Sequence, residues 1–91
     1  MTKLIHMTSG EPYDVYIGRG TKWGNPFVRG KDGTRQQVID KYRSWILEQK
    51  ELMDDLEELE GKALCCWCTP LPCHGDVLIE LLEKRKNLER F

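Results

Sequence analysis

The sequence has no long apolar run: nothing in it approaches the ~18 consecutive apolar residues of a membrane span. Its first residues, Met1-Thr2-Lys3-Leu4-Ile5-His6, contain no secretory hydrophobic segment, so the chain is expected to stay in the cytoplasm in which it is made. It also lacks an excess of charge of either sign. Fourteen Lys and Arg stand against fifteen Asp and Glu, a formal net charge of −1. The resulting pI near 6.1 weighs against bulk duplex nucleic acid as a partner. Cysteine is absent outside positions 65–73, where all four occur. Four cysteines so close together close almost no loop, so metal binding, thiol chemistry or packing is expected rather than a disulfide framework. No internal repeat, low-complexity tract or linker divides the 91 residues, which are read as one domain, 1–91. A chain this short buries only roughly 60–65% of its unfolded surface, and such domains often lean on a metal, a ligand or a second subunit.

The neutral total hides an asymmetry. Residues 1–50 hold nine Lys/Arg against five Asp/Glu, and residues 51–91 hold five against ten. The basic half suits an anionic ligand. Two solvated surfaces of opposite sign, or a contact between copies of the chain, would give the same count.

Thr2–His6 and Tyr13–Ile17 are rich in β-branched and aromatic residues and read as short strands separated by the turn Ser9-Gly10-Glu11-Pro12. Residues 18–33 form a loop that holds five of the eight glycines. Thr34-Arg35-Gln36-Gln37 fits a capping box, and Val38, Ile39, Tyr42, Trp45 and Ile46 recur at helical spacing behind it. Leu52, Met53, Leu56 and Leu59 continue a helical pattern after a break near Gln49–Glu51, and Gly61 ends it. Lys62–Trp67 is an apolar run suited to a strand buried on both faces, which Pro70 and Pro72 cannot continue. A last helix starts near Cys73 with Val77, Leu78, Leu81, Leu82 and Leu88 on its inner face. These elements predict a small α/β domain: a short, mostly parallel sheet of undetermined strand order, flanked by about three helices. If Tyr13–Ile17 and Ala63–Cys66 pair in parallel, the segments following them leave the same sheet edge and meet there.

The first of those segments, Gly18–Phe27, combines three glycines, two cations and two aromatics. As a binding loop it would hold an anion with Arg19 and Lys22, let Gly24 and Asn25 bring backbone close to it, and stack Trp23 or Phe27 on a ring. It matches neither the dinucleotide fingerprint nor a P-loop. As a structural loop it would use Trp23 and Phe27 to close the core and pair Arg19 with a surface acid.

The second, Cys65–Asp76, is the densest signal. Cys66, Cys68, Cys73 and His74 are a tetrahedral zinc set in number and type, at an atypical spacing. With Cys73 as the cap of the last helix, its thiolate would gain from the helix dipole and become a nucleophile, with His74 or His6 as base. The same helix end, with His74 and Gly75, would equally hold a phosphate. Cys65 is read as a core residue, and His6 as structural. The zinc-deaminase pattern fails, because Asp76 stands where a second cysteine is required.

Taken together, Tyr16-Ile17-Gly18-Arg19-Gly20, Lys22-Trp23-Gly24-Asn25-Pro26-Phe27, Cys66-Trp67-Cys68 and Pro72-Cys73-His74-Gly75-Asp76-Val77-Leu78 resemble the small bacterial and bacteriophage family known as domain of unknown function 4326. Tyr42, Trp45 and Leu59-x-Gly61-Lys62 also fit it, whereas Cys65 and His6 lie outside its pattern. The resemblance implies a bacterial or phage origin, hence a host cytoplasm, and implies that the two loops are the family's site. It brings no activity with it.

The leading expectation is therefore a small anionic ligand, nucleotide- or phosphate-like, bound between loop 18–27 and segment 66–76. Arg19, Lys22, Trp23, Gly24, Asn25, Cys73, His74 and Gly75 are the contacts, and catalysis by Cys73 and His74 is left open. The alternatives are a zinc-stabilised module with Cys66, Cys68, Cys73 and His74 as ligands and a protein partner or second copy bound, and a DNA-associated accessory factor.

Overall fold

Four consecutive buried residues, Ala63-Leu64-Cys65-Cys66, suit only a strand covered on both faces, and they form the middle of the sheet. The computed structural model describes residues 2–67 and 73–89, with the side chains of 86–89 excepted. Its strands are β1 (Lys3–His6), β2 (Val15–Tyr16) and β3 (Ala63–Cys66), in the order β1-β3-β2. Both pairings are parallel, with Lys3 opposite Ala63 and Tyr16 opposite Cys65. The strand expected over Tyr13–Ile17 shortens to two residues. Its pairing still extends to either side, through the Asp14 amide to the Ala63 carbonyl (2.9 Å) and the Ile17 amide to the Cys65 carbonyl (3.0 Å). The Asp14 carboxylate accepts from the Ala63 amide in turn (2.9 Å), so both backbone groups of Ala63 are satisfied by one residue.

Helix α1 (Arg35–Leu47) starts as its sequence dictates. The Thr34 hydroxyl accepts from the Gln37 amide (3.2 Å) and the Gln37 side chain accepts from the Thr34 amide (2.8 Å). The expected break follows. A short helix, α2 (Lys50–Asp55), runs into a 3-10 turn at Leu56–Leu59, and Gly61, at φ 74°, reverses the chain into β3. Helix α3 (His74–Glu89) closes the domain.

The core lies where α1, α3 and the 3-10 turn meet the sheet, with Tyr42, Ile46, Leu56, Leu59, Leu64 and Leu78 fully buried. Leu81 and Leu82 are buried as expected, while the side chain of Leu88 lies outside the described residues. Trp45 is only half-buried at the edge of the core. Helix α1 turns its Val38–Ile39–Tyr42–Ile46 stripe inward, and Trp45 falls one step round from it. Among the described residues no helix is long and apolar enough to cross a membrane.

Candidate functional site

In a parallel sheet every strand ends at the same edge, so β2 hands the chain to loop 18–27 and β3 hands it to the cysteine segment side by side. The two meet there. His74, the first residue of α3, is buried, and its Nε2–H donates to the Ile17 carbonyl at 2.6 Å. A pocket of about 410 Å³ opens between them. Val38, Ile39 and Phe27 give it apolar walls, Cys66, Cys73 and His74 line the α3 side, and Tyr16 and Trp67 stand at the β2–β3 side. Its charged lining is Arg19, Arg29 and Arg35, with no carboxylate among the described residues that line it. First-turn residues of two helices, Arg35 of α1 and His74 of α3, belong to the wall, so two positive dipole ends lie beside it. The first turn of α1 contains no acid to offset its end. That of α3 has Asp76, whose carboxylate is occupied with the Cys73 amide (3.0 Å).

The residues singled out in the sequence divide between this pocket and other places. Arg19 lines it and straps its own loop, donating to the Asn25 and Phe27 carbonyls (3.2 and 3.4 Å). Asn25 lines it too, but spends its amide on backbone: Oδ1 accepts from the Phe27 amide (2.9 Å) and Nδ2 donates to the Val38 carbonyl (3.1 Å). Lys22 points away. It pairs with Asp55 (3.0 Å) and Glu58 (2.6 Å), and these two acids raise its pKa, Glu58 the more strongly. Part of the charge asymmetry of the sequence is thus settled inside the chain. Trp23 is 2% exposed and is a core residue, its carbonyl accepting from the buried Tyr42 hydroxyl at 2.7 Å. Gly24 is a steric necessity against backbone, while Gly75 is packed closely against side-chain methyls. A Cβ on Gly24 would lie 2.7 Å from the Gly18 carbonyl oxygen, and one on Gly75 would lie 2.5 Å from a Leu4 methyl.

Sequence reasoning missed Arg29, Arg35, Tyr16 and Trp67. Arg29 reaches the pocket on a tight turn in which Val28 and Asp32 bond each other twice, amide to carboxylate (2.7 Å) and amide to carbonyl (2.7 Å). Trp67 is 57% exposed, and its indole N–H donates to the Tyr16 hydroxyl (3.0 Å). No sequence signal marked Trp67: it closes the Lys62–Trp67 run read as buried on both faces, whereas β3 stops at Cys66 and leaves the indole outside it.

The cysteines behave differently from an activated thiol. Cys73 caps α3, its Sγ accepting from the Gly75 amide at 3.3 Å, as the sequence suggested. Yet its thiol shares a hydrogen bond with that of Cys66 (3.6 Å), and this bond, with burial behind it, drives the Cys73 pKa far up. The helix end alone would push it down. His74 is no ready base either. Burial lowers its pKa, the Ile17 carbonyl opposes this, and the Arg19 charge lowers it further. No thiol–imidazole hydrogen bond joins Cys73 to His74 among the described residues. His6 is bound through Nδ1 to the Thr8 amide and hydroxyl (3.1 and 2.8 Å). Cys65 is buried and donates to the Met7 sulfur (3.8 Å). Cys68 lies outside the described residues, and among those described no group of three His, Cys, Asp or Glu converges as a metal site.

A protonated, buried thiol reacts slowly with an alkylating reagent. At pH 7.5, iodoacetamide is expected to modify Cys73 roughly tenfold or more slowly in the folded protein than in urea, read by peptide mapping. Fast modification in the folded state would identify a thiolate and restore the nucleophile.

A short parallel sheet with an arginine-lined pocket at its C-terminal edge defines a small α/β domain. The chain belongs to the family described as domain of unknown function (DUF4326), whose model matches residues 4–84 and thereby includes both loops. It is similar to the uncharacterized protein R718 of Acanthamoeba polyphaga mimivirus, at 37% identity over 96 aligned positions, covering 86% of this chain and 71% of that protein. It is also similar to the uncharacterized 12.4 kDa protein in the nrdA-td intergenic region of Enterobacteria phage T4, at 38% identity over 77 positions, covering 79% of this chain and 69% of that one. No solved structure matches.

Proposed function

We propose that the domain binds a small phosphate-bearing anion in the pocket between its two loops. The observation that carries this reading is the lining: three guanidinium groups, two helix N-termini and no carboxylate among the described residues. An anion seated among these guanidinium groups is attracted by each of them. Guanidinium forks suit phosphate geometry, and the Val38–Ile39–Phe27 wall lowers the local dielectric and strengthens each contact. Three buried free thiols, Cys65, Cys66 and Cys73, suit a reducing compartment, so the ligand is a cytoplasmic one.

Arg29 is the clean probe. It is exposed on a surface turn and forms no ion pair among the described residues, so its removal leaves stability within about ±0.5 kcal/mol. Millimolar phosphate, sulfate or pyrophosphate is expected to raise the melting temperature of the wild type. Arg29→Ala should weaken that binding by ~1.5–3 kcal/mol, the size of a charge-assisted hydrogen bond. Absence of any shift with all three anions, or an undiminished shift in Arg29→Ala, counts against the reading. Metal analysis separates it from its competitor. Stoichiometric zinc in protein purified without added metal, together with loss of fold in Cys73→Ser, would replace the anion pocket with a zinc-stabilised interaction module.

A further inference from the structure

We infer that the anion taken by this pocket carries a planar heteroaromatic ring, as a nucleoside monophosphate does, and that Trp67 is the surface on which the ring stacks. This rests on the anion reading above and narrows it to a class of ligand.

A single exposed tryptophan is ordinary on a protein surface. Three features separate Trp67 from that case. It borders the pocket whose charged lining, among the described residues, is arginine. It is fixed: the indole N–H is held by the Tyr16 hydroxyl (3.0 Å), and the His6 ring meets it nearly perpendicular, 85° at 6.0 Å between centroids. Both partners sit on the sheet, Tyr16 in β2 and His6 at the end of β1, and the His6 ring is tied through Nδ1 to Thr8. A large aromatic that is more than half exposed yet already immobilised loses little entropy when a ring settles on it. The chemistry is thereby divided across one cavity, with an indole at the β2–β3 side and guanidinium groups of the 18–29 loop and the start of α1 elsewhere on the wall. A ligand that satisfies both is an anion joined to a ring. The volume of about 410 Å³ lies near the lower end of the ~300–1,000 Å³ range of small-molecule sites, which suits one nucleotide rather than a strand.

Calorimetric titration with inorganic phosphate, ribose 5-phosphate and the common nucleoside monophosphates tests this. At least one nucleotide is expected to bind roughly tenfold or more tighter than ribose 5-phosphate, the increment of one base stacked on an aromatic side chain. It should also quench tryptophan emission. Trp67→Ala, melting at the wild-type temperature without ligand, should bring nucleotide affinity down to that of ribose 5-phosphate. Trp67→Phe keeps a stacking face, so it should retain most of the preference while losing the quench. Equal affinity of the wild type for ribose 5-phosphate and every nucleotide overturns the inference and leaves the anion pocket standing. A preference that survives in Trp67→Ala overturns it as well. Failure of every phosphate probe to bind overturns both. Short single-stranded oligonucleotides that bind far more tightly than any mononucleotide would replace a one-nucleotide site with a strand-binding one.

Discussion

Trp23→Ala is expected to remove a large part of the stability of this domain. Trp23 is buried and belongs to the same core cluster as Ile17, Tyr42 and Val77. Its backbone carbonyl also holds the Tyr42 hydroxyl, which burial would otherwise strand. Truncating a buried tryptophan costs ~3–5 kcal/mol in lost transfer energy and cavity. A domain of this size has a total of only about 5–14 kcal/mol. With a urea m-value of about 1–2 kcal/mol/M, the unfolding midpoint should fall by roughly 1.5–5 M. Trp67→Ala is the matched control. That side chain is mostly in solvent and its one hydrogen bond is exposed, so its midpoint should move by no more than the equivalent of ~0.5 kcal/mol. A wild-type midpoint for Trp23→Ala would mean that loop 18–27 does not anchor the core and that the ring belongs to the pocket after all.

The two tryptophans also mark where the sequence was legible. Regular elements declare their faces through period. The capping box at Thr34 and Gln37, the stripe Val38–Ile39–Tyr42–Ile46, the doubly buried strand at 63–66 and the cap at Cys73 are local patterns, and each forms as its chemistry requires. Parallel pairing of β2 with β3 followed from the helices between them, and it is what brings the two unusual loops to one edge. A loop has no period, so nothing in Gly18–Phe27 chose between a core and a pocket position for Trp23, or said that Lys22 turns to Asp55 and Glu58 or that Asn25 is consumed by Val38 and Phe27. The position of β1 beyond β3, opposite β2, was equally invisible, because it depends on long-range packing alone. Arg29 and Arg35 were overlooked because they lie past the loop that composition highlighted, and the turn at 28–33 folds them back. Trp67 was overlooked between cysteines that drew attention to sulfur.

His74 is the joint on which the site depends, and its removal should be the most damaging change within the pocket. Its Nε2–H bond to the Ile17 carbonyl is the buried polar link between the end of β2 and the start of α3, and its ring rests against Tyr42 at 5.2 Å between centroids. His74→Ala leaves that carbonyl without its donor, at ~1–3 kcal/mol. The void of an imidazole adds on the order of 1–2 kcal/mol at about 24 cal/mol per Å³. His74→Gln keeps an N–H donor on a side chain of comparable reach and should recover about half of the loss. The same residue makes stability depend on pH in a predictable direction. Burial holds the folded pKa of His74 below the ordinary value of 6.5, so on acidification the unfolded chain takes up this proton first. The contribution is fully present above about pH 6.5 and is lost as pH falls from there toward the folded value, with a slope of at most ~1.4 kcal/mol per pH unit from one proton. Between pH 7 and 5.5, above the range in which most carboxylates titrate, the wild type should lose stability to denaturant faster than His74→Gln does. Parallel pH profiles for the two proteins, or a His74→Ala variant as stable as the wild type, would show that the two loops are held together by other contacts and that the pocket does not depend on this histidine.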